Sequence, residues 1–200
     1  MSIRPKGFSF IELVIVIVVI GLLTATALPL FINILHQAKQ AAIETISGNF
    51  ATAVISARSQ WEADGRPRTA DNNIVNYDGS VFKLTPAITQ RSGVIGYPFG
   101  LLVSTTSDVE QLTVQDCVDL MVNLLQIPPS VTALMADAAT GKYVFFATVE
   151  SQATDKLCRY YQLASANSNR SGAINVTAGH SFTYIPTQGR VEVNLHKKKD

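Results

Sequence analysis

The stretch from Phe8 to Ile32 reads FSFIELVIVIVVIGLLTATALPLFI, and beyond Glu12 it holds no full charge; the next one comes at Lys39. About 20 apolar residues at 1.5 Å rise per residue cross the roughly 30 Å hydrocarbon core of a bilayer, so this run is long enough for one membrane-spanning helix. Thr24 and Thr26 fit inside it because their hydroxyls can return to helix carbonyls. No later stretch is both as long and as uncharged, so the chain from about Ala38 onward reads as a water-soluble body. With 47% apolar and 16% charged residues in 200, that body has material for a core, which argues against disorder. A net charge of +1 leaves no basic field for counterion release, which argues against a nucleic-acid partner.

Arg4 and Lys6 precede the apolar run, and positive charge on that flank keeps the amino end cytoplasmic and sends the body to the periplasm or outside. A secretory signal also starts basic and apolar, and Ala25-Thr26-Ala27 would serve it as a small-residue cleavage site, releasing a soluble protein that begins at Leu28. Against that stand the continuation of the run through Leu30, Phe31 and Ile32, and the acid at its start. A carboxylate entering a membrane costs several kcal/mol unless it is paired, protonated or near the interface, so Glu12 needs a partner. A cut between Gly7 and Phe8 would supply one: the new Phe8 amine lies four residues before Glu12, on the same helix face and about 6 Å away in rise. The helix macrodipole favours an acid there as well.

The segment Lys6-Gly7-Phe8-Ser9-Phe10-Ile11-Glu12-Leu13 resembles the class III signal of type IV pilins and pseudopilins: a short basic leader, Gly at the cut, an aromatic first residue, an acid at the fifth mature position and an unbroken apolar helix. Phe10 stands where the family more often has Leu, an exchange of one bulky apolar residue for another. The resemblance implies several things. A prepilin peptidase cuts after Gly7 and the Phe8 amine is methylated. The chain is stored among inner-membrane lipids, and inner-membrane assembly machinery then passes it into a filament of other pilin subunits. Glu12 is expected to pair there with the Phe8 amine of an adjoining subunit, which penalises wrong registers. Pro29 also matches the family, where it kinks the helix for packing; Pro in a helix interior removes a backbone bond and clashes with the preceding turn.

The expected division is a leader at 1–7, a hydrophobic transmembrane and assembly helix at 8–35, an amphipathic helical half at 36–64 and a periplasmic α+β domain at 65–200. In the amphipathic half, Ile43, Ile46, Phe50, Ala53, Val54, Ala57 and Trp61 recur at spacings of three and four. Gly65, Arg66 and Pro67 stop it, so one nearly continuous helix from about Ser9 to Ala63 is expected, on the order of 80 Å long at 1.5 Å per residue. Trp61, at the end of the stripe, is read as core rather than as a ligand platform. Asp78-Gly79 suits a type I′ turn and predicts a hairpin of 74–77 with 80–85. Further strands are expected at 142–150, 156–164, 173–177, 180–185 and 190–195, forming an antiparallel sheet. One long helix followed by a run of strands gives α+β layering, the type IV pilin fold that the amino terminus implies.

A second helix is expected from Thr113 to Gln126, with Thr113-x-x-Asp116 resembling a capping box and Pro128-Pro129 ending it. Cys117 lies on its apolar stripe with Leu120, Met121, Leu124 and Leu125, and Cys158 lies in a strand. They are the chain's two cysteines. In an oxidising compartment a Cys117–Cys158 bridge is the natural reading, with two buried free thiols as the alternative. Asp116 and Asp119 read as solvated helix charges, and Lys197-Lys198-Lys199 as a solvated tail.

His36, His180 and His196 lack neighbours at metal-ligand spacing, and no phosphate loop or serine-nucleophile elbow is present, so neither catalysis, a metal nor a cofactor is expected. Gln60-Trp61-Glu62-Ala63, Asn76-Tyr77-Asp78-Gly79 and Gly96-Tyr97-Pro98 resemble minor pilins of mannose-sensitive haemagglutinin pili, which implies a low-copy subunit of an attachment pilus. A type II secretion pseudopilin is the alternative. The calcium-binding carboxyl-terminal loop of the major pseudopilin has no counterpart in residues 188–200.

Overall fold

The computed structural model describes residues 7–69, 71–86, 94–153, 155–168 and 174–196. The basic leader residues Arg4 and Lys6 and the Lys197 to Lys199 tail lie outside them. Two compact units divide the chain, 1–39 and 40–200.

The first unit is helical from Phe10 onward, within helix α1 (Phe10–Ala63). Its backbone stays helical through Pro29. Two hydroxyls that the apolar run has to accommodate fold back as expected: Thr24 Oγ1 donates to the Ile20 carbonyl at 2.8 Å and Thr26 Oγ1 to that of Leu23 at 2.9 Å.

The second unit opens with the remainder of α1, whose stripe Ile43, Phe50, Ala53, Val54, Ala57 and Trp61 is buried. It ends where Gly65 and Arg66 take positive φ, 81° and 62°. Three antiparallel strands follow: β1 (Asn73–Tyr77), β2 (Ser80–Leu84) and β3 (Pro98–Leu101). Asp78 and Gly79 turn β1 into β2 with φ of 48° and 84°, the paired positive angles that a type I′ turn requires. Then come α2 (Val114–Leu124), β4 (Val131–Thr132), the single turn α3 (Met135–Ala138), β5 (Phe145–Gln152), β6 (Asp155–Gln162), β7 (Asn167–Ser168), β8 (Ile174–Asn175), β9 (Ser181–Ile185) and β10 (Arg190–Asn194). The larger sheet runs β10-β9-β6-β5-β4, and β7 pairs with β8 alone.

The architecture is α+β, as expected, with differences in detail. The expected single sheet is two larger sheets and a short ribbon, and β4 pairs parallel to β5. Of the strand expected at 173–177, residue 173 lies outside the described residues, Ile174–Asn175 is β8 and a tight 3-10 turn follows at Val176–Ala178. The strand expected from Lys142 begins at Phe145. β3 and β4 were not expected: Pro98 and Gly100 make β3 read as loop, and β4 has only two residues.

One core joins these elements. Phe50 of α1 meets Tyr160, Phe182 and Tyr184 at ring distances of 5.7, 5.7 and 5.3 Å, while Tyr160 stacks on Phe182 at 4.8 Å. Burying such rings strands their hydroxyls unless partners are supplied. Tyr160 donates to the Cys117 carbonyl and Tyr184 to that of Pro98, each at 2.7 Å. Burial holds both phenols well above their ordinary range, so they stay neutral donors. On the other face of the larger sheet, Ala138, Phe146, Tyr161 and Val176 form a second, smaller cluster.

Candidate functional site

Gly7, Phe8 and Ser9 precede α1 in non-helical, exposed backbone. Phe8 is 77% exposed, and a Cβ added at Gly7 would meet nothing within 4 Å. The peptide bond between Gly7 and Phe8 therefore lies in exposed, non-helical backbone. Ser9 is the residue before the first helical turn, and its carbonyl accepts from Leu13 N–H. Its own N–H donates to Glu12 Oε2 at 2.8 Å. Glu12 thus closes the helix start by taking one of the amino-terminal N–H groups that no helix carbonyl can reach. The Ser9-x-x-Glu12 spacing is the sequence signal for this contact.

From here the helix surface is apolar and uncovered. Phe10, Leu13, Leu23, Leu30 and Phe31 are each more than half exposed, and the helix contains an 18-residue window of mean hydropathy 2.8 with none of it buried. Such a surface calls for lipid or other helices around it. Residues 4–28 match the family described as "Prokaryotic N-terminal methylation motif". In this segment the chain resembles type IV pilins. Similar proteins include the type IV narrow pilus major component PilA5 of Thermus thermophilus, 42% identical over 76 residues, which is 38% of this chain and 63% of that protein. A fimbrial protein of Moraxella nonliquefaciens is 37% identical over 68 residues, 33% of this chain and 44% of the relative. The matches thus span less than two thirds of either relative. No solved structure matches the chain.

In the second unit Cys117 and Cys158 form the disulfide, with Cα atoms 5.5 Å apart and both residues fully buried. It ties α2 to β6. The neighbouring Asp116 corrects the expectation of a solvated charge: it is 1% exposed. Its Oδ1 accepts from Ser104 Oγ at 2.5 Å, and its Oδ2 from Thr106 Oγ1 at 2.5 Å, Thr113 N–H at 2.9 Å and Thr113 Oγ1 at 2.6 Å. The Thr113–Asp116 capping box is complete in both directions. Burial pushes the Asp116 carboxyl up, but the donors from Ser104, Thr106 and Thr113 outweigh it and hold the group below the usual carboxylate range. No sequence pattern announces Ser104 and Thr106 as partners, because the loop that carries them is brought in by tertiary folding.

The remaining candidates are structural. Trp61 is 1% exposed and donates its indole N–H to the Pro67 carbonyl at 3.0 Å. His180 accepts the His196 N–H on Nδ1 at 3.0 Å. Among the described residues no group of three or more His, Cys, Asp and Glu side chains is placed to hold a metal ion.

Proposed function

We propose that this chain is a type IV pilin, a structural subunit of a type IV pilus rather than an enzyme. In this reading it is cut after Gly7, methylated on Phe8 and anchored by residues 8–35 in the inner membrane, with the basic leader cytoplasmic and the body periplasmic. It then moves into a filament with other pilins. The observation that carries the reading is the exposed Gly7–Phe8 bond next to a carboxylate that caps an uncovered apolar helix. Glu12 would then exchange its Ser9 N–H contact, or share it, with the Phe8 amine of an adjoining subunit, and Pro29 would bend the helix during packing. The names of the two relatives, a pilus component and a fimbrial protein, support the coarse reading. The finer one, a minor pilin of a mannose-sensitive haemagglutinin-type attachment pilus, rests on the short resemblances around Trp61, Tyr77 and Tyr97.

Intact mass and amino-terminal sequence of the chain from membrane and surface-filament fractions test this directly. A mature chain beginning at methylated Phe8 in both fractions is expected. A start at Leu28, or absence from the filament fraction, would overturn the reading.

A further inference from the structure

Strand register builds a polar recess on the face of the larger sheet that carries Tyr161. Tyr161 of β6 stands opposite Ser181 of β9, which stands opposite Asn194 of β10, so the three side chains share that face. Arg159 shares it two residues back along β6. The 3-10 turn before β9 adds Thr177. His196 is held just past β10 by its N–H, which His180 Nδ1 accepts at 3.0 Å. These six residues line most of a recess of about 200 Å³.

Its chemistry is one-sided. Among the described residues that line it, Arg159 carries a full positive charge and none is an Asp or Glu. Glu150 takes the other edge of the guanidinium, accepting from Arg159 Nε at 2.8 Å while the Tyr161 hydroxyl donates to the second Glu150 oxygen at 2.9 Å. Arg159 Nη1 reaches Ser181 Oγ at 3.3 Å, and Nη2 has no acceptor among the described residues. Ser181 is buried, and its own hydroxyl hydrogen has no acceptor among them either. Buried polar hydrogens are normally donated, so this one marks a place for an acceptor from outside. An acceptor that meets an arginine edge and a hydroxyl together is best supplied by a carboxylate, whose two oxygens match the guanidinium fork. Beyond His196 the sequence continues as Lys197-Lys198-Lys199, which adds positive charge next in the chain.

We propose that this recess binds the carboxylate of one acidic sugar unit of a longer polysaccharide. It is smaller than the pockets that enclose a whole ligand, which suits a single unit whose chain runs out over the rim. That rim is exposed and carries the Asn194 carboxamide and the His196 imidazole, groups that pair with ring hydroxyls, rather than the aromatic anchors on which a protein partner would depend. The inference goes beyond the filament reading and does not rest on it, because it concerns the dispersed chain as much as the assembled one. Detergent-dispersed full-length chain is titrated by calorimetry with glucuronate, glucose, acetate and inorganic phosphate. Glucuronate is expected to bind, and each of the other three to bind about tenfold more weakly or not at all, since each lacks either the carboxylate or the ring hydroxyls. No binding of glucuronate, or equal binding of any of the other three, would overturn the proposal. Asn194→Asp, an exposed and isosteric change that sets a negative charge on the rim, should weaken glucuronate about tenfold with an unchanged melting curve. Arg159→Gln should weaken it at least as much. Unchanged affinity in both variants would place the binding elsewhere and sink the assignment. Joint replacement of Lys197, Lys198 and Lys199 by Gln should leave the preference for glucuronate over phosphate intact; loss of all binding there would assign it to the tail and overturn the proposal as well.

Discussion

Asp116 shows how one carboxylate can be misread from spacing alone. Three residues before Asp119 on an amphipathic helix, it has the pattern of a solvated acid, yet the fold surrounds it with hydroxyls from Ser104, Thr106 and Thr113. Removing it strands those donors inside the protein, so Asp116→Ala should cost about 3 kcal/mol of unfolding free energy, measurable by urea titration. Its depressed folded pKa gives the sign of the pH effect. An unfolded aspartate titrates near 3.9, so the stability contributed by the ionised group is fully present above about that pH and is lost as pH falls through the lower folded value. Asp116→Asn should therefore flatten the acid limb of the melting-temperature profile below about pH 4. Glu12 poses the complementary question, because it has a structural partner now and a proposed charged partner later. Glu12→Gln keeps an oxygen to accept the Ser9 N–H but loses the charge. Processing and membrane insertion should be unchanged while incorporation into filaments falls; normal incorporation would show that capping is the whole role of this side chain.

At the scale of elements, the sequence was most informative where periodicity and punctuation agree. Helix α1 was readable from an uncharged run, a stripe at three- and four-residue spacing and a Gly-Arg-Pro stop, and the β1–β2 hairpin from Asp78-Gly79. β3 was hidden because Pro98 and Gly100 suit an edge or a close approach rather than a regular strand, and Gly100 is in fact the space that Asp116 occupies. The two residues of β4 gain their parallel pairing from β5, a tertiary cause with no local signal. The disulfide joins two elements that were each legible, α2 and β6, and closes a sequence separation of 41 residues. The chain-entropy argument gives about 4 kcal/mol for a loop of that size. Cys117→Ser with Cys158→Ser should lower the melting temperature of the body by about 10 °C, since a domain of this size shifts about 2–4 °C per kcal/mol. Thiol reductant added to the folded protein should act slowly, because both sulfurs are buried and wait on unfolding. A melting curve insensitive to the double substitution would remove the bridge from the account of stability.

For the whole molecule, the decisive contrast is between two kinds of apolar surface. In the second unit the large side chains are buried against one another: Ile43, Phe50 and Trp61 of α1 with Phe82 and Leu84 of β2, Phe99 of β3, Leu120 and Met121 of α2 and the aromatics of β6 and β9. Every one of these lies after Gln40, as do both cysteines and the buried Asp116. Among the described residues the first unit has no such core: Phe8, Phe10, Leu22, Leu23 and Phe31 are between 59% and 80% exposed. Apolar area left in water costs about 25 cal/mol per Å², so this helix surface is stable only when lipid, detergent or other helices cover it. A chain that begins at Gln40 should consequently keep the disulfide and near-ultraviolet aromatic signal of the full protein while running as a monomer in plain buffer. The full chain should need detergent for the same behaviour. Gel filtration and circular dichroism of the two forms decide it. Aggregation of the shortened chain, or loss of its aromatic signal, would mean that the second unit does not hold its core without the residues before Gln40.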